Sequence, residues 1–112
     1  MQVYTISSAN GRTRASFVPK KGGFGTSIIM PHKNQDREIL FLDQENFWHK
    51  ETDNTCYPGG WPFLFPICGR LERLNQAGTY IYNAHVYQLP IHGFATTMPW
   101  QVFHDAADSL GL

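Results

Sequence analysis

Apolar and polar residues alternate over short runs along this chain, and nowhere do apolar positions recur at the spacing of an amphipathic helix. Runs rich in β-branched and aromatic residues, bounded by Gly, Pro and Asn, predict strands over Gln2 to Ser7, Arg14 to Pro19, Thr26 to Met30, Glu38 to Leu42, Gly78 to Tyr82, Val86 to Leu89 and Trp100 to His104. The alternation is clearest in TYIYN and VYQL. Asn10-Gly11 predicts a type I′ hairpin turn, because both central residues of that turn need positive φ. Asn83-Ala84 predicts another tight connection, while Lys20 to Gly23 and His32 to Arg37 read as solvated turns. The pattern is that of an all-β protein with antiparallel pairing.

The stretch from Asn46 to Leu74 breaks the pattern. Pro58, Pro62 and Pro66 exclude a continuous helix or a central strand across it. A long irregular segment carrying Trp48, Trp61 and several phenylalanines is not composed like a flexible linker. Segments of this kind in small domains tend to carry function.

Composition narrows the possibilities. The chain has 112 residues, nine Lys and Arg against nine Asp and Glu, and only 16% charged residues, so it lacks the basic field that binding a phosphate backbone requires. Nucleic acid is therefore not an expected partner. Its length suits one domain spanning residues 1–112. No run approaches a membrane span and the N-terminus has no secretory apolar core, so the expected address is cytoplasmic, without a membrane partner. Cys56 and Cys68 match neither a redox pair nor zinc-ligand spacing and read as reduced thiols, with one disulfide as the alternative. No metal is expected, since His32, His49, His85 and His104 show no ligand spacing.

The chemistry-bearing candidates are few. Arg70 closes the run GGWPFLFPICGR, whose apolar character predicts a partly desolvated guanidinium that needs acceptor partners: a bound polar ligand, or an ordinary ion pair with Glu72. His92 precedes Gly93, which permits close backbone approach, and its imidazole can either donate or accept; a core histidine bonded to a carbonyl is the plainer reading. Trp61 and Trp100 offer rigid faces for stacking on a pyranose, or simply core packing. Glu51, Asp53 and Glu72 have no spacing that promotes them to acid or base.

Taken in order, Gly60-Trp61-Pro62, Leu64-Phe65-Pro66, Gly69-Arg70-Leu71, Tyr80, Tyr82, Tyr87, Leu89-Pro90, His92-Gly93-Phe94-Ala95 and Pro99-Trp100-Gln101-Val102 resemble the aldose 1-epimerase (galactose mutarotase) family. The resemblance covers roughly residues 15 to 104 and is specific from Gly59 onward. It implies part of a galactose mutarotase-like supersandwich, a large antiparallel β-sandwich. It also implies a cofactor-free isomerase that interconverts α and β anomers of a free hexose by acid–base ring opening. The matching arginine and histidine contact the sugar in that family, so Arg70 and His92 inherit substrate-binding roles, His92 a catalytic one as well, and Trp61 is the accompanying stacking residue.

Family members are roughly twice this length or more, and their later histidine acid and glutamate base have no match here. The resemblance therefore implies an N-terminal portion of a longer protein, or a chain that completes its sheets by self-association or by pairing with a C-terminal portion. A non-catalytic carbohydrate-binding protein and an assembly module with a vestigial site are the alternatives.

Overall fold

The computed structural model describes residues 1–49 and 58–112. It is all-β: antiparallel strands dominate and helix is scarce. A four-stranded sheet holds β1 (Tyr4–Ser7), β2 (Arg14–Val18), β3 (Phe24–His32) and β4 (Gln35–Glu38), in that order and antiparallel throughout. A short helix, α1 (Gln44–His49), follows. Three two-stranded ladders complete the described residues: β5 (Glu72–Arg73) with β6 (Gln76–Ala77), β7 (Thr79–Tyr82) with β8 (His85–Gln88), and β9 (His104–Asp105) with β10 (Leu110–Gly111).

Turn chemistry organises these hairpins. Lys33-Asn34, Leu74-Asn75 and Asn83-Ala84 each place two consecutive residues at positive φ, the backbone of a type I′ turn, whose twist matches that of the flanking strands. The Asn83-Ala84 connection is thus where the sequence puts it.

Asn10-Gly11 behaves differently from expectation. Only Gly11 takes positive φ, and the Ser8 to Thr13 connection is a longer loop closed by the Gly11 amide donating to the Ser8 carbonyl at 2.8 Å and the Ser8 amide donating to the Thr13 carbonyl at 2.9 Å. The Asn10 side chain accepts from the Ser8 hydroxyl and the Arg12 amide, which favours this local geometry over a two-residue turn.

One turn expectation and two strand expectations are corrected. The segment His32 to Arg37, read as a turn, runs from the end of β3 at His32 into β4 at Gln35, and the turn itself occupies only Lys33-Asn34. Beyond Glu38 the chain leaves the sheet, and Leu42 forms only an isolated bridge with Gly59. Trp100 to His104 is not a strand, because the Trp100 amide donates to the Pro19 carbonyl at 2.9 Å and its indole N–H to the Ala95 carbonyl at 3.0 Å; only His104 enters β9.

The core is small. Val18, Phe24 and Phe47 are buried together, with Leu42 and Trp48 packed against them. The Phe24 and Phe47 rings lie 5.5 Å apart, and Trp48 meets Phe47 edge-on at 4.8 Å. Burial of each such side chain contributes about 1.5–3 kcal/mol. Helix α1 was not legible from periodicity, being under two turns long; it is started by Asp43, whose carboxylate accepts the Asn46 amide at 3.0 Å. Lys21 lies over the Phe47 ring, 4.9 Å from its centroid, and donates to the Phe47 carbonyl.

Much apolar surface stays exposed, including Phe41, Phe65, Leu74, Tyr82, Val86 and Phe103. The accessible area of 7823 Å² exceeds the roughly 6300 Å² of a compact monomer of this mass. The radius of gyration, 16.9 Å, exceeds the roughly 13 Å of a compact chain of this length. No helix among the described residues is long and apolar enough to cross a membrane.

Candidate functional site

The irregular segment after residue 57 is held to the sheet by backbone bonds that glycines permit. Gly25 and Trp61 exchange two amide-to-carbonyl bonds of 2.8 Å, and the Gly60 amide donates to the Phe41 carbonyl at 2.6 Å. A Cβ on Gly59 would stand 2.3 Å from the Phe41 carbonyl oxygen, so the Gly-Gly-Trp sequence is what lets the segment thread between Phe41-Leu42 and β3.

From there the chain runs to Phe65, where it pairs with the HGF segment. Phe65 and Gly93 form a parallel bridge, and the Phe65 carbonyl accepts from the Phe94 amide at 2.9 Å and the Ala95 amide at 3.4 Å. A Cβ on Gly93 would lie 2.0 Å from that same carbonyl oxygen. Four residues on, the pairing closes again. The His92 amide donates to the Gly69 carbonyl at 2.8 Å, and the Gly69 amide donates to Nδ1 of His92 at 2.8 Å.

This pair of hydrogen bonds joins His92 to Gly69, the residue before Arg70. Arg70 follows Gly69 directly, so the segments that carry the arginine and the histidine, 22 positions apart in sequence, meet at this pairing. His92 is half-buried and holds φ of 64°, a left-handed conformation uncommon for a side-chain-bearing residue, followed by Gly93 at 79°. Non-glycine residues in this region cost about 1–3 kcal/mol and cluster at functional sites.

Arg70 corrects one expectation. It is exposed rather than partly desolvated, because the apolar run before it lies along the surface, with Phe65 and Cys68 exposed as well. Among the described residues its guanidinium makes no ion pair, so the pairing with Glu72 is not formed; the ion pairs run instead from Arg12 and Arg14 to Asp36, at 3.7 and 3.3 Å. The guanidinium is thereby left available for an acceptor.

The tryptophans divide. Trp61 is 51% exposed, presenting a face at the Gly25 bridge, and no ring contact or hydrogen bond among the described residues links it to His92 or Arg70. Trp100 is half-buried, with its ring centroid 5.8 Å from that of Phe63 and its indole N–H committed to Ala95, so it packs and clamps the loop after His92. An apolar groove that sequence reasoning did not foresee completes the neighbourhood. Phe65, Phe94, Ala95, Met98, Pro99 and Trp100 line an apolar groove of about 310 Å³ whose Phe65 and Phe94 flank the histidine segment. The adjacency of Phe94 to the HG pair was the available signal.

The remaining candidates stand apart. Glu72 is exposed on β5, and His104 bonds Ser109 at 2.9 Å in the β9–β10 hairpin. Glu51, Asp53 and Cys56 lie outside the described residues, and Cys68 is an exposed thiol. Among the described residues no group of three or more His, Cys, Asp or Glu is placed to hold a metal.

No protein-family model and no curated protein matches the chain. Among solved structures it is similar to the Slr1438 protein from Synechocystis sp. PCC 6803, with a TM-score of 0.69 and 33% sequence identity. The match covers 92% of this chain and 32% of the Slr1438 chain, so this chain spans about a third of the length of its structural relative.

Proposed function

We propose that this chain carries the sugar-contacting part of an aldose 1-epimerase-type site, with Arg70 and His92 as the polar contacts to a free hexose and Trp61 as an accompanying stacking face. The observation that supports the reading is the mutual bonding of Gly69 and His92, which brings the segment carrying Arg70 to the segment carrying His92. A guanidinium and an imidazole suit the hydroxyls and ring oxygen of a neutral aldose, and one arginine gives no reason to invoke a sugar phosphate.

The isomerase chemistry asks for a base at the anomeric hydroxyl and an acid at the ring oxygen, and each such group is worth about 100- to 10,000-fold in rate. His92 is the residue of this chain we assign to the reaction, as a polarising contact. Strands covering the exposed apolar surface would supply the other proton-transferring groups, whether from a further part of the same polypeptide or from an associating copy. The 32% share of Slr1438 that this chain spans supports that division. A cytoplasmic protein of hexose metabolism, part of a galactose mutarotase-like supersandwich, is the corresponding whole.

The test is polarimetric mutarotation of freshly dissolved α-D-glucose and α-D-galactose with the chain present, alongside sugar titrations of the wild type, Arg70→Ala and His92→Ala. Binding weakened at least about tenfold in both variants supports the site, one lost charge-assisted contact being worth about 1.5–3 kcal/mol. Unchanged affinity in both contradicts it. Binding without acceleration favours the reading in which this chain binds sugar and does no chemistry alone.

A further inference from the structure

The four-stranded sheet ends in two edges of opposite character. At one lies β4, whose exposed residues read Gln-Asp-Arg-Glu. At the other lies β1, where the run Gln2 to Ser7 reads Gln-Val-Tyr-Thr-Ile-Ser, with no charge and no proline. Sheet edges are ordinarily guarded by charge, proline, a bulge or a covering segment. Charge guards β4. The register shift of this sheet falls between Ser16 and Phe17 in the β2–β3 ladder rather than on β1. Among the described residues the β1 edge is reached at its end, where the Ser7 amide donates to the Ala107 carbonyl at 2.8 Å.

The register shows which backbone groups of β1 face outward. Successive residues of an antiparallel strand point their amides and carbonyls to opposite sides. The Ser8 amide bonds the Thr13 carbonyl and the Ser7 amide points away from β2, so Tyr4 and Ile6 bond β2 while Val3 and Thr5 point outward. Among the described residues nothing pairs with the outward backbone groups of Val3 and Thr5, and both residues are exposed.

A second copy of the chain fits this edge. A two-fold axis through a sheet keeps each face on its own side, so residues brought opposite must share a face and each register is centred on one residue. Centred on Tyr4, Val3 of each copy stands opposite Thr5 of the other, both pairs exchange backbone bonds, and the two Tyr4 side chains meet on one face. Centred on Thr5, the ladder would need the Ser7 amide, which Ala107 already holds. The β4 edge has no equivalent solution. Its outward groups belong to Asp36 and Glu38, and every two-fold register centred on Asp36, Arg37 or Glu38 sets carboxylate opposite carboxylate.

We propose that β1 is a self-association edge, through which two copies join their four-stranded sheets antiparallel about Tyr4. The interface does not depend on the sugar reading of Arg70 and His92.

Sedimentation of the chain over a range of concentrations, with amide hydrogen exchange at Val3 and Thr5, tests this. A monomer–dimer equilibrium is expected, with protection of those two amides rising in step with the dimer fraction. Val3→Lys combined with Thr5→Lys sets like charges opposite each other and should weaken dimerisation about fivefold or more. Val3→Lys combined with Thr5→Glu sets opposite charges across both pairs and should restore it. A ladder centred on Thr5 would instead bring the two introduced carboxylates together, so weakening in that second variant overturns the register. A monomer at every concentration, or a dimer indifferent to both variants, overturns the interface. Protection that does not vary with concentration also overturns it, because a segment of the same chain then covers the edge.

Discussion

Replacing Gly93 by alanine should unfasten the bridge on which the candidate site hangs, and the structure permits the size of the effect to be worked out. The added Cβ would stand 2.0 Å from the Phe65 carbonyl oxygen, 2.5 Å from its carbon and 2.7 Å from Pro66 Cδ, so the two segments must separate. Alanine at φ of 79° also carries left-handed strain of about 1–2 kcal/mol. Separation loses the Phe94 amide bond to Phe65, and each such bond contributes about 0.5–1.5 kcal/mol. The expected cost is about 1.5–3.5 kcal/mol, strain and bond loss combined.

Gly11→Ala is the matched control. Its φ of 68° is nearly the same, yet nothing lies within 4 Å of the added Cβ. It should cost only the strain, about 1–2 kcal/mol. Urea unfolding of both variants gives the comparison, and sugar titration of Gly93→Ala gives the functional arm, where displacement of His92 from Gly69 should weaken binding along with stability. Equal destabilisation by the two substitutions would refute the claim that the close approach of Phe65 and Gly93 sets the site.

Further outcomes follow from the turns and the sheet edge. Ala84→Gly relieves left-handed strain in the β7–β8 turn and should stabilise by about 1 kcal/mol, read as a raised urea midpoint; no change would mean that the turn is not type I′ in solution. The Glu38 carboxylate is raised by burial but lowered more by the Ser27 hydroxyl and the Leu40, Ile28 and Ile39 amides, so its net pKa lies below the usual carboxylate value. Because the folded value is the lower one, its stabilisation is present above the unfolded carboxylate pKa and is lost as pH falls through the folded one. Glu38→Gln should accordingly lower the urea midpoint at neutral pH and converge on the wild type in acid; a difference independent of pH would contradict this.

Different parts of this fold were legible in the sequence for different reasons. β2 and β7 follow their β-branched and aromatic runs closely, and Asn83-Ala84 was readable because asparagine tolerates left-handed backbone. The equivalent turn at Lys33-Asn34 carries a residue with no such preference at its first position, inside a polar run that gives no strand signal, so β4 was hidden. Its residues Gln35–Glu38 are all exposed, and an edge strand with both faces in water shows no alternation. Arg70 and His92 were legible only as residue types in a familiar order. Their union through Gly69 was not, since it depends on an amide-to-imidazole bond and on backbone angles that no pattern of side chains encodes.

The central claim is that Arg70 and His92 form one ligand-contacting unit joined through Gly69. Chemical-shift mapping of the ¹⁵N-labelled chain titrated with D-galactose and with D-glucose tests it most directly. The account predicts saturable shifts concentrated at residues 69–70 and 92–94, with the Trp61 indole also affected. Shifts confined to other surfaces, or none with either sugar, would contradict it.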